Sequence, residues 1–483
     1  MIKKILNSLK ALYSPAYPKT ITYMLQSTEY RVWPYLKWFW RTNDFSKVRS
    51  RRSLDKTAVS SLILKILTLG ILIEIIGGLV LMFLTIGDVV PGGWAFGLAT
   101  ILAFPVIWAH LITLPVALAR FFVIDPKERQ AILKTKKIFA DIQATKIAVA
   151  GSYGKTSMKE LLKTVLSTGK KVAATPANKN VPLSHYEFAK TLSGKEDILI
   201  VEFGEGGPGD VSRFADTLNP DIAIITGIAP AHLDRYKTLN NAAKDIFSLE
   251  NYVNKKSIFV NKEWTGSNRY ISSDLNTYDR SGVLGWQVKD VSLNIEGLKF
   301  KLVKGKRTLN LSSSLIGRHQ IGPLSLVAVL SLELGLSDKQ VEKGIAQAQV
   351  YEHRMQPYKL NEAWIIDDTY NGNLEGIRAG TALLKELKAD RKIYITPGLV
   401  DQGKDTKKIH EEVGQLIASA EPDIVVLMEN SVTEYIEAGL NKSSYKGQID
   451  RQSDPLFFYT NLSDFVASGD LVLMQNDWTD NYA

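Results

Sequence analysis

A short glycine turn followed by Lys155 and Thr156 is the segment of this sequence best suited to chemistry on phosphate groups. The turn follows an aliphatic run, and Lys155, Thr156 and Ser157 begin a segment with helical spacing of leucines. Backbone N–H groups at such a helix start bind an anion, a lysine adds positive charge, and a threonine hydroxyl can reach Mg²⁺. Val149 stands where the longer P-loop has a glycine. The predicted phosphate-binding residues are Gly151, Ser152, Gly154, Lys155, Thr156 and Ser157.

Two side chains that can hold a metal ion are predicted at the ends of later strands. Glu202 ends an aliphatic run beside a glycine-rich turn, and His232 follows another such run. Because parallel sheets bind ligands at the carboxyl ends of their strands, both side chains are expected near Lys155. With the Thr156 hydroxyl they form the predicted Mg²⁺ site. The alternative is an exposed acid in a turn and a histidine without a role.

Residues farther along the chain are predicted to contact a nucleotide or its substrates. His319 and Gln320 stand at the start of a helix, and Arg354 precedes a second series of strands. An arginine there can clamp phosphate, or it can form a salt bridge between domains. The turn from Asp367 to Asn373 is rich in acids, Tyr and Asn and ends a strand, a position that usually faces a ligand. Its alternative role is to cap the next helix.

Alternating strands and helices position these groups. After residue 351 the strand–helix pattern restarts. The sequence therefore predicts an α/β fold with a P-loop domain at 146–358 and a smaller Rossmann-like domain at 359–483. Residues 285–315 are expected to form short strands, as an inserted β-hairpin. The strands are predicted at 146–150, 197–201, 221–225, 257–260, 363–366, 392–395, 423–427 and 471–474, and a helix at 323–335.

The segment before residue 146 is predicted to attach the chain to a membrane. Residues 59–86 and 94–124 are almost uncharged, and each exceeds the ~20 residues that cross a bilayer. Residues 1–58 carry 12 Lys and Arg against 3 Asp and Glu, interleaved with aromatics, which is typical of a membrane interface. The prediction is an interfacial arm (1–58), a two-helix transmembrane hairpin (59–124) and a linker helix (125–145). The alternatives are a disordered basic tail and a buried helical hairpin.

The distribution of charge and the absence of cysteine narrow the function classes. The net charge of +9 lies in residues 1–58, so it does not indicate a nucleic-acid-binding surface. No cysteine means no disulfide, no thiolate metal site and no cysteine nucleophile. Lys and Arg flank the outer ends of the hairpin, and its connecting turn has none. The catalytic domains are therefore predicted on the cytoplasmic side of a bacterial membrane. Within the hairpin, Glu74 is expected to face His110.

Taken in chain order, these motifs resemble those of the Mur ligase family, the ATP-dependent amide ligases of peptidoglycan synthesis. The similarity covers about 146–483 and is greatest to the MurF branch, which joins D-alanyl-D-alanine to UDP-N-acetylmuramoyl-tripeptide. An Asn-rich segment at 175–184 and the run at 366–373 carry the likeness to that branch. The matching segments are GSYGKTS from 151, EFG…PGD from 202, AHLD from 231, GRHQ from 317, HRM from 353 and IDDTYNGN from 366.

The resemblance implies a two-step reaction with ATP and Mg²⁺. ATP phosphorylates a peptide carboxylate to an acyl phosphate, and an amine then attacks to give an amide, ADP and phosphate. The implied partners are a muramoyl peptide or related acceptor, an amino acid or dipeptide amine, and membrane lipid. The implied cofactor-binding residues beyond the P-loop are His319 and Gln320 near adenine, Arg354 on phosphate and Asp368 on ribose or phosphate. The implied metal-binding residues are Thr156, Glu202 and His232, the catalytic residues Lys155, His232 and Lys244, and the substrate-binding residues Asn178, Asn180, Tyr370, Asn371 and Asn373.

Several positions depart from the family pattern. Ile246 stands near the position of the family's carbamylated lysine, and Lys244 is the nearest candidate to replace it. The hairpin and basic arm stand where the family has a soluble UDP-sugar-binding domain. These departures leave two alternatives open. One is a ligase acting on a lipid-linked or poly-γ-glutamate-type acceptor, and the other is a membrane-tethered ATP-binding scaffold without catalysis.

Overall fold

The computed structural model describes residues 2–28, 30–42, 45, 48, 54–86, 92–177, 179–230, 233–370, 372–400 and 402–476. The chain divides into two compact units. The first contains residues up to Arg129, and the second runs from Gln130 to Trp478. The second unit contains two α/β domains, here named the middle domain (145–346) and the C-terminal domain (356–476).

The first unit is helical, and its two long helices pack against each other through glycines. A Cβ on Gly97 would lie 2.3 Å from the Gly78 carbonyl oxygen, so the two backbones approach too closely for a larger residue. Two stretches, Ala58–Leu84 and Gly93–Asp141, are long and apolar enough to cross a membrane, by length and composition. The helices are α1 Ile2–Leu12, α2 Tyr17–Ser27, α3 Val32–Arg41, α4 Ala58–Ile86, α5 Gly93–Leu111 and α6 Thr113–Ala119; a π-helical turn Arg120–Ile124 leads into α7 Asp125–Asp141, which ends in the second unit.

His110 interacts with residues other than Glu74. Its Nε2 accepts a hydrogen bond from Trp40 Nε1 at 2.9 Å, and its Nδ1 lies 2.7 Å from the Val106 carbonyl oxygen. The expected pairing of Glu74 with His110 therefore gives way to an aromatic contact, in which the Trp40 and His110 rings stack with centroids 6.0 Å apart.

The middle domain is built on one sheet that is parallel at one side and antiparallel at the other. Its described strands have the order β10-β9-β8-β7-β6-β5-β4-β1-β3-β2. Strands β1 to β6 are parallel, so their carboxyl ends meet at one edge. The strands are β1 Thr145–Ala150, β2 Val172–Ala174, β3 Ile198–Glu202, β4 Ile222–Ile225, β5 Ile258–Asn261, β6 Asn276–Asp279, β7 Gly282–Val283, β8 Trp286–Asn294, β9 Gly297–Lys304 and β10 Arg307–Ser313.

Helices cover both faces of this sheet and form two apolar cores. Helix α13 is apolar all round and nearly fully buried, which explains why its sequence lacks a polar face. The expected hairpin at 285–315 is instead three antiparallel strands that extend the same sheet. The helices of the middle domain are α8 Lys155–Leu166, α9 Pro182–Ala189, α10 Asp210–Leu218, α11 Leu233–Tyr236, α12 Leu239–Ile246, α13 Ile321–Glu333 and α14 Asp338–Ala346.

The C-terminal domain is a second, mostly parallel sheet covered by helices. Its described strands have the order β11-β12-β16-β13-β14-β15, and only the edge strand β11 is antiparallel to its neighbour. The strands are β11 Gln356–Leu360, β12 Ala363–Asp368, β13 Arg391–Thr396, β14 Ile424–Met428, β15 Gln448–Gln452 and β16 Asp470–Gln475; the helices are α15 Leu374–Glu386, α16 Thr406–Ser419, α17 Thr433–Lys442, α18 Pro455–Thr460 and α19 Leu462–Phe465.

Candidate active site

A cavity of about 600 Å³ lies where the two α/β domains of the second unit meet. The middle domain contributes residues that follow the carboxyl ends of its parallel strands, and the C-terminal domain contributes the end of β12 and the start of α15. A volume of this size is typical of small-molecule sites, and the sheet edge is the usual ligand position in this fold class. The cavity is therefore the candidate active site.

The glycine turn after β1 is locked against the end of β4. Gly151 has φ +137°, and a Cβ there would lie 2.3 Å from Thr226 Oγ1. The backbone N–H of Ser152 donates to the Gly227 carbonyl oxygen at 2.8 Å. Gly154 has φ +73° and immediately precedes α8. Only glycine meets these requirements for backbone conformation and close approach, so the turn holds a fixed shape at the start of the helix.

Lys155 extends from the first turn of α8 toward the buried carboxylate of Glu205. Its Nζ donates to the Gly151 carbonyl oxygen at 2.5 Å and forms an ion pair with Glu205 Oε1 at 3.1 Å. Glu205 is only 8% exposed. Burial raises the pKa of Glu205, and the neighbouring Lys155 opposes that rise. Lys155 thus reaches the cavity wall with its charge balanced by a carboxylate from the adjacent glycine-rich turn.

Glu202, at the end of β3, is the most heavily contacted acid of the site. The Thr156 hydroxyl donates to its Oε1 at 3.1 Å, and Asn180 Nδ2 donates to the same oxygen at 3.3 Å. Its other oxygen, Oε2, lies 3.3 Å from Lys159 Nζ. The carboxylate is 2% exposed, yet it lines the cavity. Thr156 and Glu202 therefore present two hard oxygen donors at one point of the wall.

Backbone groups of Glu202 are also anchored. Its N–H donates to Thr175 Oγ1 at 3.1 Å, and its carbonyl oxygen accepts from His185 Nε2 at 3.0 Å. Burial lowers the pKa of His185 to about 4, so this histidine is neutral at pH 7 and donates from Nε2. Thr175 and His185 therefore hold the backbone of Glu202 at both its N–H and its carbonyl group, which fixes the end of β3.

Another part of the wall is formed by an arginine just before β11 and by a tyrosine and an acid of the C-terminal domain. The Arg354 guanidinium lies over the Tyr370 ring, 4.6 Å from its centroid. Asp368 Oδ2 accepts from Gln475 Nε2 at 2.8 Å, and its Oδ1 accepts from the Met355 N–H at 3.2 Å. Burial raises the pKa of Asp368 to about 7, although these hydrogen bonds and Arg354 act against it. This part of the wall therefore places the Arg354 cation near Asp368, whose carboxyl group changes protonation near pH 7.

A third part of the wall lies before α13. Gln320 Nε2 donates to His319 Nε2 at 3.0 Å, and both residues line the cavity. Burial, and secondarily the charge of Arg280, lowers the pKa of His319 to about 4. A neutral, partly apolar ring suits a nucleobase better than a charged one would.

Two contacts join the domains beside the cavity. Arg318, before α13, pairs with Glu386 at the end of α15, with its Nε 2.9 Å from Oε2. Thr265, after β5, donates from its hydroxyl to Glu375 Oε1 at 2.6 Å. Asn373 caps α15, because its Oδ1 accepts from the Gly376 N–H at 3.0 Å. The polar turn after β12 therefore both caps a helix and lines the cavity.

The structure brings most of the predicted site residues to this cavity, but not all of them. Lys244 is exposed on α12 and is not among the lining residues, and its role as a substitute for the family's lysine stays a prediction. Gly151 acts through its backbone shape. His232, Asn178 and Asn371 lie outside the described residues. The predicted residues that line the cavity are Ser152, Gly154, Lys155, Thr156, Ser157, Asn180, Glu202, His319, Gln320, Arg354, Asp368, Tyr370 and Asn373.

Several residues of the site were not anticipated. Lys159 has a sequence signal, because it stands one helical turn after Lys155 among apolar residues that face the core. The others are lining residues to which the sequence assigned no role. They are Asn261, Glu263, Arg280, Arg318, Tyr351 and Glu375.

Comparison with family models identifies both α/β domains. Residues 149–330 match the Mur ligase middle domain, and residues 353–475 match the Mur ligase, glutamate ligase domain. These ranges coincide with the two sheets that meet at the cavity.

Curated relatives are enzymes named UDP-N-acetylmuramoyl-tripeptide–D-alanyl-D-alanine ligase. The Borreliella burgdorferi enzyme is 28% identical over 295 residues, which are 59% of this chain and 62% of that protein. The Escherichia coli enzyme is 24% identical over 303 residues, 59% of this chain and 64% of that one. The Bacillus subtilis enzyme is 23% identical over 335 residues, 68% and 72% of the two chains. The chain thus spans about three fifths of the length of the first two relatives.

Solved structures with the same fold include two MurF enzymes. MurF from Thermotoga maritima in complex with ADP gives a TM-score of 0.63 at 20% identity, covering 73% of this chain and 80% of that one. MurF from Acinetobacter baumannii gives 0.63 at 19% identity, covering 72% and 77%. At these identities the likeness is one of fold.

Proposed function

We propose that this chain, which belongs to the Mur ligase family through its middle and C-terminal domains, is an ATP-dependent, ADP-forming amide ligase. The observation that carries the proposal is the composition of the cavity. A glycine turn with Lys155 and Thr156 forms one part of the wall, and Arg354, from the segment that joins the two domains, forms another with Asp368 of the C-terminal domain. Such an arrangement can bind a nucleotide's phosphates and enclose a reactive intermediate between two domains.

The phosphate-binding wall supports a role for Mg²⁺. The Thr156 hydroxyl donates to Glu202 Oε1 at 3.1 Å, and Glu202 Oε2 accepts no hydrogen bond within the described residues but lies 3.3 Å from Lys159 Nζ. Hard oxygen donors of this kind fit Mg²⁺, so Thr156 and Glu202 are the residues proposed to hold it. When bound, the ion would neutralise phosphate charge during phosphoryl transfer. His232 remains a proposed third ligand.

The proposed reaction joins the carboxylate of an acceptor to an amine in two steps, with ATP as the source of the phosphoryl group. A carboxylate oxygen of the acceptor attacks the γ-phosphorus of ATP, the bond to the β-phosphate oxygen breaks, and ADP leaves. The amine nitrogen then attacks the acyl carbon, loses a proton, and phosphate leaves with the electrons of the C–O bond. Lys155 and Arg354 both line the cavity and are proposed to bind phosphate oxygens, and closure of the domains would exclude water from the acyl phosphate.

The proposed substrates are those in the names of the related enzymes. They are a UDP-muramoyl-tripeptide and D-alanyl-D-alanine, as the names of the curated ligases state for those enzymes. Asn180, Tyr370 and Asn373 line the cavity and are proposed to contact the substrates, together with Asn178 and Asn371. His319 and Gln320 are proposed to lie beside adenine.

The two long apolar helices are proposed to span a bacterial cytoplasmic membrane, with the α/β domains on the cytoplasmic side. Support comes from their length, from their exposed apolar side chains, and from the excess of Lys and Arg in residues 1–58. The proposed organisation is an interfacial arm at 1–58, the hairpin at 59–124, a linker at 125–145, the ATP-binding domain at 146–358 and the C-terminal domain at 359–483.

The experiment that tests this function is phosphate release by the full chain in detergent. ATP is supplied with UDP-muramoyl-tripeptide, with and without D-alanyl-D-alanine, and the amide product is identified by mass spectrometry. We expect sustained release only when both substrates are present, because the amine completes the cycle. A parallel arm with a lipid-linked muramoyl peptide distinguishes the acceptors. ATP binding without amide product in either arm would contradict the proposed ligase activity and would favour the alternative of an ATP-binding scaffold without catalysis.

A further inference from the structure

Lys159 is a fully buried lysine behind the wall of the site, where it contacts the lining residue Glu202. Its side chain is 0% exposed, and its Nζ lies 3.3 Å from Glu202 Oε2 and 3.2 Å from Glu160 Oε1. The same ammonium donates to the carbonyl oxygen of Ala177. Burying a charged group is costly unless it is paired and hydrogen-bonded, and an apolar residue of similar volume would serve stability as well or better. The position therefore needs an explanation beyond packing.

Helix geometry aims Lys159 at the phosphate-binding residues. It follows Lys155 by four residues and Thr156 by three, so all three side chains stand on one face of α8. Thr156 contacts Glu202 Oε1, and Lys159 contacts Oε2. Because the two oxygens of the carboxylate have different partners from one helix face, the plane of the carboxylate is fixed relative to the phosphate turn.

Lys159 also supports the loop that follows β2. Ala177 has φ +46°, a left-handed conformation that is unfavourable for alanine, and its carbonyl oxygen accepts from Lys159. Three residues later, Asn180 donates to Glu202 Oε1 at 3.3 Å. The backbone of this Asn-rich loop packs closely on the next strand end, because a Cβ on Gly204 would lie 2.4 Å from the Asn180 carbonyl oxygen. One ammonium therefore holds both the acid and the loop that contacts it.

We propose that Lys159 is a positioning residue, which fixes the Glu202 carboxylate toward Thr156 and ties Ala177, in the loop after β2, to the same point. The inference rests on the proposed function, in which Glu202 and Thr156 hold Mg²⁺ with the nucleotide. Lys159 touches neither substrate nor phosphate in this scheme. It acts through Glu202, in the way that groups behind a metal ligand orient that ligand and tune its affinity.

The test is the affinity of the full chain for ATP, measured by calorimetry with and without Mg²⁺. Lys159→Met should leave metal-free ATP binding near the wild-type value and reduce the gain in affinity caused by Mg²⁺ by about 10- to 100-fold. Lys163→Met, an exposed lysine one turn farther along α8, is the matched control and should behave as wild type. Wild-type dependence on Mg²⁺ in Lys159→Met would overturn the proposal.

A double variant separates positioning through Glu202 from an independent or purely structural role. Glu202→Gln alone should lose the effect of Mg²⁺, and Lys159→Met with Glu202→Gln should be no weaker than Glu202→Gln alone. Losses that multiply in the double variant would overturn the proposal. This comparison stands even where Lys159→Met alone fails to fold, because the double variant removes both buried charges together. Absence of ATP binding by the wild type would contradict the proposed function itself and, with it, this inference.

Discussion

At the scale of single residues, the site is a set of buried charges that neutralise one another. Lys155 pairs with Glu205, and Lys159 pairs with Glu202, at 3.1 and 3.3 Å. Both pairs lie at the end of β3 and the start of α8, where phosphate is proposed to bind. A nucleotide that engages Lys155 would replace the carboxylate of Glu205 with phosphate oxygens, so binding exchanges one ion pair for another.

Asp368 provides a prediction about pH. Its pKa is raised to about 7, because burial disfavours the carboxylate. The folded state therefore holds a proton that the unfolded state releases near pH 4, and stability falls as pH rises from about 4 to 7. Asp368→Asn removes this titration. We expect the melting temperature of the variant, relative to wild type, to rise between pH 5 and pH 8, as measured by differential scanning fluorimetry.

The control for this prediction is another acid of the same domain. Asp470 is salt-bridged to Arg391 at 2.6 Å, and its pKa is lowered. Asp470→Asn should therefore lose stability relative to wild type at every pH above about 4, which is the opposite sign. If Asp368→Asn tracked wild type at all pH values, the carboxyl of Asp368 would not be protonated in the folded chain.

The types of residue that bind phosphate could be predicted from sequence, but their partners could not. Glycine and Lys-Thr after a strand fix the position of Lys155 through local geometry alone. The pairing of Lys155 with Glu205, 50 residues away, depends on how β1 and β3 lie side by side. Lys244 illustrates the same limit. It lies two residues before position 246 in the sequence, but this closeness gives no information about burial, and its side chain is exposed.

At the scale of elements, the cavity depends on contacts between the segment before α13 and helix α15. Arg318 and Glu386 form a bidentate pair, and both are partly exposed, so the pair contributes only about 0–1 kcal/mol to stability. The pair matters for geometry because it joins two domains beside the cavity.

Reversing this pair tests the role of the domain contact. Glu386→Arg places two cations together, and we expect turnover to fall several-fold while the melting temperature changes little. Arg318→Glu combined with Glu386→Arg restores opposite charges and should recover most of the turnover. Steady-state kinetics of four forms, the wild type, Arg318→Glu, Glu386→Arg and the double variant, provides the measurement. Equal turnover in all four would show that the contact does not govern closure.

The elements that were predicted well are those whose residues carry their own signal. The aliphatic runs of β1, β3, β4, β12, β13, β14 and β16 are buried on both faces, and their predicted bounds agree with the structure to within about two residues. The strands β2, β6, β7, β11 and β15 were missed. They are short or half polar, and β2, β11 and β15 are edge strands that pair on one side only. Strands β8 to β10 were expected as an insertion, and which sheet they join is a non-local property.

At the scale of the whole molecule, the proposed membrane hairpin makes a prediction about topology. The chain has no cysteine, so a single introduced thiol can be labelled selectively. We expect Asp88→Cys, between the two apolar segments, to react with a membrane-impermeant maleimide in cells with an opened outer envelope. Lys195→Cys, exposed in the middle domain, should react only after the cytoplasmic membrane is lysed. The reverse pattern, or equal labelling, would contradict the proposed orientation.

The measurement that tests the central claim most directly is ATP binding by the full chain and by Lys155→Ala. Removing a charged donor to phosphate should cost about 1.5–3 kcal/mol, which corresponds to a roughly 10- to 150-fold weaker affinity. Lys163→Ala, on the exposed face of the same helix, should bind ATP as the wild type does. Failure of the wild type to bind ATP, or equal binding by Lys155→Ala, would show that the cavity at the end of β1 is not a nucleotide site.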